Sequence, residues 1–170
     1  MRRSLLALAV CVFVLCVGER SHAQGDPAFI TFGAGWFDMN KRDDQAGEFR
    51  MEYWSDIDWW IFRPFGGVMA TTDAALYGHL GIRMDLFFGN RFVLTGSFAP
   101  GLYYEGDGKD LGHVVQFRSN IEAAYRFDSR ARAGVAFYHL SNASLGNDNP
   151  GTEVLSVFYA HPLTDLFETE

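Results

Sequence analysis

Hydrophobic and polar residues alternate along most of the chain, and the alternation occurs in separate stretches. In one of them Phe49, Met51 and Tyr53 alternate with charged residues. A period of two is typical of β-strands, whose successive side chains point to opposite faces. Polar or glycine-rich breaks separate eight such stretches, and none has a convincing helical period. We therefore predict one all-β domain of eight strands. The predicted strands lie near 27–37, 47–55, 59–70, 74–88, 91–105, 112–127, 131–142 and 152–163.

The faces of these strands distinguish a soluble protein from a membrane barrel. A soluble barrel turns its apolar face inward, whereas a small membrane barrel turns it toward lipid and fills its lumen with polar side chains. Periodicity alone does not say which face is inside. However, several stretches are long enough to cross a bilayer when tilted, and their polar faces carry both signs of charge, as in Arg118 and Glu122. We predict an eight-stranded antiparallel outer-membrane β-barrel.

The breaks between strands alternate in length. Short ones occur at 56–58, 89–90 and 128–130, and longer ones near 38–46, 106–111 and 143–151, with the break near 71–73 as an exception. Outer-membrane barrels combine short periplasmic turns with longer outer loops. Odd strands then run outward, and the last long loop, which joins strands seven and eight, is extracellular.

The N-terminus has the features of an export signal. Arg2 and Arg3 precede an apolar run, and small residues stand before Gln24. We predict a signal peptide over 1–23 and a barrel over 24–170, located in the bacterial outer membrane. A short N-terminal membrane anchor is the alternative.

Cleavage of this signal would remove both cysteines and change the net charge of the protein. Both cysteines lie within it, so the mature chain has no thiol for a disulfide, a nucleophile or a metal site. Cleavage also removes three arginines and one glutamate, which takes the net charge from −7 to −9. That balance argues against nucleic acid as a partner.

Three residues in the last two strands have the chemistry of an esterase. His139 and Ser141 are two apart on strand seven and share the face of Phe137, which we expect to contact lipid. Glu153 begins strand eight with the parity of its apolar residues. Serine needs a general base, imidazole titrates near neutrality, and a carboxylate orients the imidazole. Polar groups facing lipid are costly, which indicates function rather than a solvated rim.

These residues carry a family resemblance. The stretches 137–143, 149–153 and 155–159 resemble the lipid A 3-O-deacylases of the PagL type, with His-x-Ser-Asn-Ala and a Glu twelve residues after the Ser. The rest of the chain is similar only in size and strand pattern. The resemblance implies that Ser141 is the nucleophile, His139 the general base and Glu153 its orienting partner.

The family pattern also implies two supporting asparagines. Asn142 would lie near the oxyanion, and because its side chain has lumen parity we expect its backbone N–H to be the donor. Asn149 would help to shape that site, or serve as a turn residue before Pro150. Two features depart from the family. Phe167 is followed by three further residues where barrels usually end on an aromatic residue, and the 144–149 loop is polar and glycine-containing.

The resemblance implies hydrolysis of the ester-linked acyl chain at the 3-position of lipid A, in the outer leaflet, with no metal or cofactor. Two alternatives remain at this point. One is a non-enzymatic barrel serving as an adhesin or structural protein, and the other is a different outer-membrane esterase or acyltransferase such as a phospholipase. The oligomeric state stays open, a homodimer included.

Overall fold

The computed structural model describes residues 26–41 and 44–163. Its eight strands pair in sequence order, and β1 also pairs with β8, which closes an antiparallel barrel. The strands are β1 (Phe29–Phe37), β2 (Ala46–Trp54), β3 (Arg63–Thr71), β4 (Leu76–Phe88), β5 (Phe92–Tyr104), β6 (Val115–Arg126), β7 (Arg132–Ser141) and β8 (Thr152–Pro162). The predicted signal peptide and Phe167 lie outside the described residues. Within the described ranges, no helix is long and apolar enough to cross a membrane.

The fold class and all eight strands are confirmed, with one boundary clearly displaced. The third strand was predicted from residue 59 but begins at Arg63. Trp59 and Phe62 exchange backbone hydrogen bonds of 2.7 and 3.0 Å, and Trp60 between them has a φ of +61°. A residue in the left-handed region interrupts an extended strand. The apolar residues before Arg63 therefore form a tight turn.

Burial shows which face of the barrel wall is inside. On β2, Glu48, Arg50 and Glu52 are at most 4% exposed, whereas Phe49, Met51 and Tyr53 on the opposite face are 47–59% exposed. A soluble barrel would show the reverse. The apolar outer wall and the charged interior confirm the prediction of a membrane barrel.

Ion pairs lie in the lumen of the barrel. Glu52 Oε1 lies 2.7 Å from Arg118 Nη1 and 2.9 Å from His79 Nε2. Glu52 Oε2 lies 3.8 Å from Arg50 Nε and accepts a hydrogen bond from Trp54 Nε1. These side chains come from β2, β4 and β6. Because buried charges are stable only when paired, this cluster ties three parts of the wall together and packs the interior.

Removing the central carboxylate should therefore destabilise the barrel. We expect Glu52→Gln to lower the free energy of unfolding by about 3 kcal/mol, since Arg50 and Arg118 would keep their buried charges without the anion between them. Urea unfolding of protein refolded into lipid vesicles measures the change. Glu105→Gln, at an exposed carboxylate in the loop after β5, is the matched control and should leave the transition in place. Equal transitions for both variants would contradict this account.

The connections divide between the two ends of the barrel. One end carries 38–41, 44–45, 72–75, 105–114 and 142–151, and the other carries 55–62, 89–91 and 127–131. At the first end the loops bind one another: Lys109 Nζ lies 2.5 Å from Asp38 Oδ1, which also accepts a hydrogen bond of 2.9 Å from Thr152. This end, with the longest loops and β7 ending at it, carries the polar residues singled out by the sequence.

Candidate active site

Strand β7 places His139 and Ser141 on the outer wall. Ala136, Tyr138 and Leu140 are at most 1% exposed and face the lumen, whereas the alternate residues Val135 and Phe137 are 51% and 42% exposed. His139 and Ser141 continue that outward set to the last residue of the strand and are partly exposed. They therefore lie where the lipid-facing wall meets the looped end of the barrel.

Strand β8 brings a carboxylate to the histidine. His139 and Glu153 are direct cross-strand partners, and His139 Nδ1 lies 3.1 Å from Glu153 Oε1. The two side chains are 44% and 27% exposed. A carboxylate at Nδ1 favours the tautomer with a proton on that nitrogen and leaves Nε2 as the basic atom.

Ser141 shares the face of this pair but is not bonded to it. Its cross-strand partner on β6 is Phe117, and within the described part of the chain its hydroxyl makes no hydrogen bond. The structure thus joins His139 to Glu153 and places Ser141 two residues along the same face. In unliganded sites, hydrogen bonds to a nucleophile are often long and tighten when substrate binds.

A glycine lies directly against the imidazole ring. Gly151, just before β8, has a φ of +57°, and a Cβ at this position would lie 2.9 Å from His139 Cε1 and 3.5 Å from Nε2. Only glycine combines that backbone conformation with that clearance. The sequence alone gives Gly151 no role beyond the family motif, because its contact with the His139 ring depends on the register in which β7 and β8 pair.

Asn142 points away from the outer wall. Its side chain is fully buried, and Nδ2 donates hydrogen bonds of 2.9 Å to Leu111 O and 2.7 Å to Asp148 O. Its backbone N–H donates to Asn149 Oδ1 at 3.0 Å. The expectation that this N–H stabilises an oxyanion does not fit the structure, because the donor is already engaged. Asn142 and Asn149 instead fix the 142–151 loop.

The two residues that follow Asn142 offer other backbone donors. Ala143 and Ser144 have φ values of +51° and +63°, uncommon for residues with a side chain. Leu145 N donates to Asn142 O at 3.0 Å and closes this turn, whereas neither Ala143 N–H nor Ser144 N–H is bonded within residues 26–41 and 44–163. Strained backbone with unpaired N–H groups beside a serine is suited to binding an anion.

Comparisons with known proteins concern the fold and the family of the chain. The chain is similar to the protein in the crystal structure of the outer membrane enzyme PagL, with 20% identity and a TM-score of 0.61 over 79% of this chain and 99% of that one. This likeness concerns the fold. No curated protein sequence matches the chain. The lipid A 3-O-deacylase (PagL) family model matches residues 29–162, a range that includes all eight strands from the start of β1 to the end of β8. The chain therefore belongs to the lipid A 3-O-deacylase (PagL) family.

Proposed function

We propose that this family member is an outer-membrane serine esterase that removes the ester-linked acyl chain at the 3-position of lipid A. The observation that supports it best is the contact of 3.1 Å between His139 Nδ1 and Glu153 Oε1 on a wall whose exposed side chains are mostly apolar. A histidine–carboxylate pair beside a serine is the arrangement that serine hydrolases use. Its position on the barrel's outer surface gives lipid direct access to it.

The proposed reaction has two steps. His139 Nε2 takes the proton of the Ser141 hydroxyl as Oγ attacks the ester carbonyl, and the tetrahedral intermediate collapses to an acyl-enzyme. The sugar oxygen leaves with the proton from His139. Water, deprotonated by His139, then releases the fatty acid and restores Ser141. Glu153 holds the ring in place and stabilises the imidazolium formed in each step.

The oxyanion is assigned to the turn after the nucleophile. The N–H groups of Ala143 and Ser144 follow Ser141 closely in sequence and are unpaired within the described residues. We propose that they donate to the carbonyl oxygen as negative charge develops on it. Asn142 and Asn149 act indirectly, since they fix the loop that presents these groups.

The location of the site supports the substrate class. His139 and Ser141 lie at the looped end of the barrel, which in outer-membrane barrels faces the cell exterior. Lipid A occupies the outer leaflet, so its ester groups meet the wall at this depth. One chain contains every group that the reaction needs, and a homodimer stays a prediction.

Mass spectrometry of lipid extracts tests the function against its rivals. Cells that produce the protein should contain lipid A lacking the chain at position 3, and cells that produce Ser141→Ala should not. Loss of acyl chains from phospholipid alone would favour a phospholipase. Unchanged lipids, with the barrel shown to be folded by its heat-modifiable mobility on gels, would favour an adhesin or structural protein.

Crowding the imidazole should impair the proposed reaction without unfolding the barrel. We expect Gly151→Ala to lower kcat/KM by about 10- to 100-fold, because the added methyl would displace the His139 ring and small misplacements of a reacting group are costly. Gly89→Ala provides the control: Gly89 also has positive φ, but its Cβ would meet nothing within 4 Å. Deacylation assays on both purified variants measure the effect. Equal rates would show that the ring has room to move.

A further inference from the structure

A second hydroxyl lies next to His139 on the side opposite Glu153. Ser119 of β6 is the direct cross-strand partner of His139, just as Glu153 is on β8. Its side chain is exposed on the outer wall. Ser119, His139 and Glu153 therefore form one polar row across three adjacent strands.

The surroundings of Ser119 are otherwise apolar. Phe117 and Ile121 flank it on β6, and its partner on β5 is Phe98, which stacks on Phe117 with ring centroids 6.0 Å apart. Phe98 and Ile121 are 46% and 51% exposed. Within the described residues the Ser119 hydroxyl has no hydrogen-bond partner. A hydroxyl without a partner on a lipid-facing wall is unfavourable, which points to a partner on the substrate.

The position of Ser119 relative to Ser141 defines which part of a substrate it meets. Ser141 stands two residues beyond His139 and is thus the diagonal neighbour of Ser119, at roughly 7–8 Å. Strand β6 runs from the looped end toward the opposite end, so Ser119 lies deeper in the membrane than Ser141. An acyl chain that extends from an ester at Ser141 into the membrane along β6 would pass Ser119 with its first few carbons.

A substrate with a polar group at that point would supply the missing partner. A 3-hydroxyacyl ester has such a group, because its hydroxyl lies two carbons from the ester carbonyl. Beyond Ser119 the wall offers Ile121, Phe137 and Val135, all exposed, which suit the remaining methylenes. One hydroxyl on the wall thus corresponds to one hydroxyl on the chain.

We propose that Ser119 hydrogen-bonds the 3-hydroxyl of the acyl chain and makes the enzyme selective for 3-hydroxyacyl esters. This inference rests on the proposed function and adds a substrate-binding residue to it. We give the Ser119 side chain no part in proton transfer, which the proposed function assigns to Ser141 and His139 Nε2.

Two synthetic glucosamine lipids that differ only in the 3-hydroxyl of the ester-linked chain test the proposal. The wild-type protein should favour the hydroxylated ester by about 3- to 10-fold in kcat/KM, as expected for one hydrogen bond. Ser119→Ala should bring that ratio close to one by slowing only the hydroxylated ester, and Ser119→Thr should restore the preference.

The outcomes separate this inference from the function on which it rests. A wild-type protein without a preference, or a Ser119→Ala protein that keeps it, would overturn the role of Ser119 and leave the esterase assignment standing. An equal loss on both esters would also overturn it, since that result indicates a structural role. A wild-type protein that cleaves neither ester would overturn both. Heat-modifiable mobility on gels confirms that each variant is folded.

Discussion

Ser141→Ala protein should deacylate lipid A on the order of 10⁴-fold more slowly than the wild type, while folding and inserting normally. The magnitude follows from the loss of covalent catalysis, for which neither His139 nor the oxyanion donors can substitute. The Ser141 hydroxyl is unpaired within the described residues and lies at the end of β7, so its removal leaves no buried polar atom without a partner. The rate of fatty acid release from lipid A in detergent micelles measures the effect.

A fluorophosphonate probe gives an independent reading of the same prediction. It should label wild-type protein at Ser141 and fail to label Ser141→Ala. Ser129→Ala, which removes a hydroxyl in the 127–131 turn at the other end of the barrel, should keep both activity and labelling. Deacylation by Ser141→Ala at the rate of the Ser129 variant would exclude Ser141 as the nucleophile.

Glu153→Gln should lower kcat by on the order of 10³-fold and affect KM little. The glutamine amide fits the space of the carboxylate, but it carries no charge to stabilise the imidazolium and can present an N–H to His139 Nδ1. That contact, now 3.1 Å from a carboxylate oxygen, would favour the tautomer in which Nε2 carries the proton and cannot act as base.

Two companion variants distinguish orientation of the base from general damage. Glu153→Asp retains the charge on a shorter side chain and should recover part of the rate, whereas Glu105→Gln, at an exposed carboxylate in the 105–114 loop, should have none of these effects. If Glu153→Gln raised KM and left kcat unchanged, the carboxylate would bind substrate and would have no part in orienting His139.

The strands and their faces could be predicted from the sequence because both depend on local alternation. The parity of His139 and Ser141 followed from Val135 and Phe137 on the same strand, and the structure gives all four an outward position. The start of β3 was missed because an apolar run reads as strand, whereas the hydrogen bonds between Trp59 and Phe62 form a turn.

The contacts that loop residues make with the site could not be predicted from the sequence. The Asn142 N–H was expected to face the substrate, but Asn149 seven residues later accepts its hydrogen bond. Gly151 reaches the His139 ring only because β7 and β8 pair in this register and the turn has positive φ. Neither arrangement leaves a periodic signal, since each depends on how a loop folds back onto its strand.

The lumen is packed with ion pairs and the site lies on the outer wall, and these two features determine the route by which substrate reaches the site. Substrate cannot come through the barrel, so it diffuses sideways in the membrane and collides with one strip of the wall. The encounter takes place in two dimensions. The rate should therefore follow the mole fraction of lipid A in the bilayer and stay constant when the same vesicles are diluted in buffer.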